Sequence, residues 1–153
     1  ASNEADKALC IEMGADHVIN HREDNWSQQV LAVTDGKKID RVVEVEFGHN
    51  LPQVLECIRV GGTIASYSSV VVPEPKLPFK HMMFMDLTLR MVIVYAMPEE
   101  AKRLAISDIN EVLTNNEFSH RIAHSLPFEQ MAKSHELIEQ GGFGGCVVVN
   151  VNS

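Results

Sequence analysis

The chain has 153 residues, 45% hydrophobic, 22% charged and 6% aromatic, enough length and apolar content for one packed core and too much for a disordered chain. Its formal net charge of −8, from 13 Lys and Arg against 21 Asp and Glu, speaks against a nucleic-acid partner or an anionic membrane surface. No apolar run approaches the roughly 18–20 residues of a membrane helix, and the polar opening Ala1-Ser2-Asn3-Glu4 does not read as a secretory signal.

In chain order, Asn3 to Met13 reads as a helix, with Ser2 or Asn3 as cap and Gly14 as its stop. His17 to Asn20 reads as a short strand. Asn25 to Val33 is a second helix capped by Asp24, and Ile39 to Val45, with Val42, Val43 and Val45, is a strand. A helix from Asn50 to Ile58 follows, with Pro52 in its first turn and Gly61-Gly62 closing it. Thr63 to Tyr67 is the next strand, and the prolines at 73, 75 and 78 make Val70 to Phe79 loop or extended chain. Leu87 to Tyr95 reads as a long strand buried on both faces.

Pro98 opens the longest helix, with Glu99 and Glu100 at its positive end. Ala101, Leu104, Ala105, Ile109, Val112 and Leu113 form its apolar face. A short strand near Arg121 to Ala123, a helix from Phe128 to Glu139 and a strand from Cys146 to Val151 complete the pattern. Alternating strands and helices of this size predict an α/β fold with a mostly parallel sheet.

Few residues carry recognisable chemistry by pattern alone. His120 and His124 are four apart but flank a strand-like stretch, and there is no Cys-x-x-Cys, so no metal site is expected. Ser66, Ser68 and Ser69 stand at a strand end without a nucleophile elbow. Gly141-Gly142-Phe143-Gly144-Gly145 leads into a strand, not a helix, and so reads as a helix stop and turn. Cys10, Cys57 and Cys146 are odd in number and far apart, which favours reduced thiols and a cytoplasmic compartment.

Four stretches carry a resemblance. They are Leu9 to Glu23, which contains Gly-Ala-Asp-His-Val-Ile-Asn followed by a ring, Arg and Glu; Ile39 to Val45; Cys57 to Ile64; and Ala132 to Glu136. In this order they resemble the nucleotide-binding half of the medium-chain dehydrogenase/reductase superfamily, and most of all its zinc-free NADPH:quinone oxidoreductase branch, the zeta-crystallin type. The resemblance implies a Rossmann-type sheet that is incomplete. Its first two strands and glycine-rich turn would precede residue 1, leaving Ile39 to Val45 with an open apolar edge. Residues 1–125 would be the partial Rossmann domain, and 126–153 a helix and strand that return toward a catalytic domain.

The resemblance also implies the site. Ser2 stands after the absent second strand, where NAD-preferring members carry an acid; with Lys7 a turn later it suits a 2′-phosphate and hence NADPH. His21 stands where the branch has Tyr or His beside the adenosine phosphate. Asn50 lies at the crevice mouth, either facing the cofactor or capping the helix that follows. Tyr67, Ser68, Ser69 and Val70 match the stretch along the nicotinamide ribose. Gly145 matches a glycine close to the cofactor, although Cys146 replaces the lysine that normally follows.

Leu87 to Tyr95 corresponds to the strand through which the family forms homodimers. The Met82, Met83 and Met85 cluster would line a pliable surface or fill the core. The implied activity is hydride transfer from NADPH to a quinone or an activated carbonyl or alkene, with no catalytic residue in this half. The alternatives are a non-enzymatic binding or dimerisation module, and a relative of the zinc-dependent alcohol dehydrogenases whose metal ligands would lie mainly in the other half.

Overall fold

The computed structural model describes residues 1, 3–115 and 120–151. The chain forms two compact units, Ala1–Arg103 and Leu104–Ser153.

In the first unit, α1 (Glu4–Glu12) is capped by Asn3, whose Oδ1 accepts from the Asp6 N–H at 2.8 Å. Gly14, at φ +98°, ends the segment in a conformation that L side chains disfavour. His17 to Asn20 is not a strand, because no described strand runs beside it to complete a ladder. Local bonds hold it instead: the Ala1 nitrogen donates to the Ile19 carbonyl at 2.8 Å, and Asn20 accepts from the Glu23 N–H at 3.2 Å on its carbonyl and from the Arg22 N–H at 3.1 Å on Oδ1. The helix α2 (Trp26–Val33) follows with Asn25, not Asp24, at the cap position, where it makes no side-chain capping bond.

The sheet is built from β1 (Ile39–Glu44), β2 (Ile58–Ser66) and β3 (Thr88–Met91), all parallel and in the order β1-β2-β3. Between β1 and β2 runs α3 (Phe47–Cys57). It starts three residues before the expected Asn50, because Phe47, 3% exposed, anchors its first turn in the core. Pro52 therefore sits inside the helix and not in its first turn.

Phe47, Leu51, Val54 and Leu55 recur at helical spacing and pack with Ile58, Ile64 and Met85; Trp26, Val42, Met82, Leu87 and Leu89 close around them. Burial of this stripe, more than capping, holds the layer of helix on sheet. Of the methionine cluster, Met85 fills the core and Met82 packs on it, whereas Met83 is exposed.

The register places the site. Val42 pairs with Ile64 and Ile64 with Leu89, one apolar row across the sheet. Two residues further along, on the same face, Glu44 pairs with Ser66 and Ser66 with Met91. The core row thus gives way to a polar row at the carboxyl ends of the strands.

Two strand boundaries differ from expectation. β2 starts at Ile58, not Thr63, and takes Gly61-Gly62 into the strand; the register with β1 shifts there, with Ile39 opposite Ile58 but Arg41 opposite Thr63. The long strand expected at Leu87 to Tyr95 is only the four residues of β3, followed by a 3₁₀ turn at Val94–Ala96. It is not buried on both faces, since Met91, Ile93, Val94 and Tyr95 are all exposed. Among the described residues β3 is an edge of the sheet, and so is β1, in which Val43 is 73% exposed. In the proline-rich stretch a short helix, α4 (Phe79–Phe84), has no counterpart in the sequence reading.

The helix α5 (Glu99–Thr114) has no buried residue, and Leu104 and Ile109 on its apolar face are exposed. The second unit pairs β4 (Ile122–Pro127) in parallel with β5 (Cys146–Asn150), joined by a 3₁₀ turn and α6 (Met131–Gln140). β4 is longer than the expected Arg121 to Ala123 because its register with β5 continues to Pro127 opposite Asn150. Each unit is α/β with a parallel sheet, as a Rossmann-type fold requires.

Candidate functional site

A cleft of about 410 Å³ opens at the carboxyl ends of β2 and β3. Parallel α/β sheets bind ligands at such strand ends, and the volume lies within the range of small-molecule sites. Its polar lip comes from Ser66, Ser68 and Ser69. Its apolar lining comes from Phe47, Tyr67, Leu77, Met91 and Val92, with Pro73 and Pro75.

Backbone bonds fix this corner. The Phe47 N–H donates to the Ser68 carbonyl at 3.2 Å, the Tyr67 N–H to the Glu44 carbonyl at 3.2 Å, and the Val92 N–H to the Ser66 carbonyl at 2.8 Å. The strand ends and the start of α3 are therefore tied to one another.

Of the expected residues, Tyr67, Ser68 and Ser69 come together on this cleft. Val70 is adjacent but 79% exposed, with its N–H already given to Glu46. Asn50 is neither a cap nor a lining residue. It lies in the first turn of α3, its N–H donating to the Glu46 carbonyl, and its Nδ2 donates to Glu44 Oε1 at 3.0 Å. Lys7 lies elsewhere, on a polar depression of about 170 Å³ that Asn3, Asn20 and the acids Glu4 and Glu23 also line. His21 is exposed and does not line it. Ser2 lies outside the described residues. Gly145 lies in the second unit at φ +122°; a Cβ there would fall 2.6 Å from the Arg121 carbonyl oxygen, so only glycine fits.

The sequence reading missed two acids, Glu44 and Glu46. Glu44 is 6% exposed, and its Oε1 accepts from the Glu46 N–H at 2.7 Å as well as from Asn50. Glu46 accepts from three successive backbone N–H groups, those of Val70, Val71 and Val72. Desolvation alone would push its carboxyl up, but these three donors and the His49 charge outweigh that and hold its pKa below the ordinary 4.5. Val-Glu-Val-Glu-Phe-Gly puts Glu44 at the last position of β1 and Glu46 just before α3, at a carboxyl strand end, but the sequence does not show which N–H groups face them.

A family model described as "Zinc-binding dehydrogenase" matches residues 1–111. No curated protein gives a significant match. Among solved structures, an NAD-dependent alcohol dehydrogenase superposes with a TM-score of 0.78 at 25% identity, covering 99% of this chain and 43% of its own. CurA from Vibrio vulnificus, solved in complex with NADPH, gives 0.76 at 16% identity, covering 100% and 48%. A quinone oxidoreductase of Pseudomonas syringae pv. tomato DC3000 gives 0.77 at 16% identity, covering 97% and 47%. The chain thus spans less than half the length of each of these three proteins.

Zinc is the metal implied by the family's description. Among the described residues no three His, Cys, Asp or Glu side chains gather as a metal site, so these residues do not fit a zinc centre. The match over most of the chain, on a parallel sheet with its cleft at the carboxyl strand ends, places this chain in the zinc-binding dehydrogenase family of the medium-chain dehydrogenases/reductases.

Proposed function

We propose that this chain is the nucleotide-binding part of an NADPH-dependent, zinc-independent oxidoreductase that acts on a quinone or an activated carbonyl or alkene. The observation that carries this is the cleft at the carboxyl ends of β2 and β3, where Ser68, with Ser66 and Ser69 whose hydroxyls donate to the Ser68 and Val72 carbonyls, stands beside the apolar faces of Phe47, Tyr67 and Met91. A flat, weakly polar ring with a hydroxylated sugar matches that mixture. When bound, the dinucleotide supplies the hydride. The chain's own residues seat the ring, hydrogen-bond the sugar and keep water from the apolar wall.

The preference for NADPH rests on Lys7, with His21 and Ser2 as further candidates for the adenosine phosphates. Glu4 and Glu23 on the same depression oppose it, so the choice turns on whether Lys7 reaches the 2′-phosphate. Asn50 would act through Glu44, Val70 through its backbone, and Gly145 by close approach. The return of residues 126–153 toward a catalytic domain and a cytoplasmic location belong to the same proposal. So does a homodimer through the segment Leu87 to Tyr95, whose strand β3 is an edge with exposed Met91, Ile93 and Tyr95 beside it.

The test is reduction of a small quinone by the protein with NADPH and with NADH. Lys7→Ala is expected to raise KM for NADPH and leave that for NADH unchanged; equal effects on both would refute the Lys7 assignment. The exposed β3 edge, with Met91, Ile93 and Tyr95 beside it, also suits a second reading, a non-enzymatic interaction module. That reading predicts a stable dimer whose melting temperature neither nucleotide changes.

A further inference from the structure

The segment that follows β2 forms one wall of the cleft, and little packing holds it. Val70 and Val71 are 79% and 69% exposed, so their side chains contribute almost no burial. Polar bonds hold it instead. Glu46 Oε2 accepts from the Val70 N–H at 2.9 Å, and Oε1 accepts from Val71 at 2.9 Å and Val72 at 3.3 Å. Ser69 adds a bridge: its Oγ accepts from the Gly48 N–H at 2.8 Å and donates to the Val72 carbonyl at 2.6 Å. Charge-assisted bonds of the first kind are about twice as strong as neutral ones. Glu46 itself does not line the cleft, whereas Ser68, Ser69 and Pro73, on either side of the clamped residues, do.

We propose that Glu46 is a positioning residue for the cleft: by clamping the N–H groups of residues 70–72 to the start of α3, it sets where Ser68, Ser69 and Pro73 stand against a bound nucleotide. The clamp stands on the geometry; its service to a nucleotide rests on the reading of the cleft given above. Among the described residues the titratable groups at this point are His49, whose charge bears on the Glu46 carboxylate, and Glu44, which accepts from the Glu46 N–H at 2.7 Å.

The experiment compares wild type, Glu46→Ala and Glu46→Gln in the intact protein, by amide hydrogen exchange and by NADPH titration. In Glu46→Ala the exchange of residues 70–72 is expected to speed up by about tenfold or more. Exchange in α3 stays as in wild type, and NADPH binding weakens several-fold. Gln keeps one acceptor oxygen and presents an NH₂ to the Val70 N–H, so Glu46→Gln falls between the two and serves if the alanine variant does not fold. Unchanged exchange at 70–72 overturns the clamp. Faster exchange with unchanged NADPH affinity overturns the positioning role. A wild-type protein that binds no NADPH counts against the nucleotide reading, and the exchange result then still decides the clamp.

Discussion

Replacing Gly48 with alanine tests the packing of the cleft corner by the sign of its effect. Gly48 lies in the first turn of α3. At an open helix position, glycine to alanine stabilises by up to about 1 kcal/mol. Here a Cβ would stand 2.2 Å from the Val72 carbonyl oxygen, 2.8 Å from Ser69 Oγ and 2.9 Å from Val72 Cβ. The nearest of these is about 1.2 Å short of the 3.4 Å at which ordinary contact begins. The obstacle is backbone, so the loop must move, and Ser69 and Glu46 lose their bonds to it. Overpacking of this kind costs about 1–3 kcal/mol, which outweighs the helix gain and leaves a net loss of about 1–2 kcal/mol.

Urea unfolding followed by the fluorescence of Trp26, the chain's one tryptophan and a neighbour of the core, reads this directly. With a slope of about 1–3 kcal/mol per molar, the midpoint is expected to fall by roughly 0.5–1 M. A midpoint that rises would refute the close approach of loop and helix.

Other outcomes follow from the same structure. Ile64, 0% exposed at the centre of the core row, should lose about 2–5 kcal/mol on Ile64→Ala in the same assay; a loss under 0.5 kcal/mol would deny that row its place. Because the folded-state pKa of Glu46 lies below 4.5, the clamp is fully present above pH 4.5 and is lost as pH falls through the lowered value. The amide shifts of Val70, Val71 and Val72 should therefore stay flat above pH 4.5 and move together below it, and a midpoint above 4.5 would contradict this. Burial pushes the Cys57 thiol up, and it is 0% exposed, whereas Cys146 is exposed. A thiol reagent should modify Cys146 in the native protein and reach Cys57 only on unfolding.

The alternation of strands and helices was legible because β propensity at Val42 and Val43 and the helical spacing of Leu51, Val54 and Leu55 agree with the packing they produce. The errors arose where tertiary contacts decide. Leu87 to Tyr95 is apolar enough for a long strand, but only Thr88 to Met91 finds a partner in β2. His17 to Asn20 has strand-like residues but, among the described residues, no neighbouring strand. The start of α3 moved to Phe47 because burial of one ring outweighs a favourable proline position further on. At the site, the serines after β2 were legible from their place at a strand end. The role of Glu46 was not, because an acid's worth depends on which N–H groups face it, and residues 70–72 lie over twenty positions away in sequence.

The most direct test of the central claim is to titrate NADPH into isotopically labelled protein and map the backbone amide shifts. The account predicts that the largest changes fall on Tyr67, Ser68, Ser69 and Val92 around the cleft, with a second group near Lys7. Saturable binding that leaves those amides unmoved, or no binding at millimolar nucleotide, would contradict it.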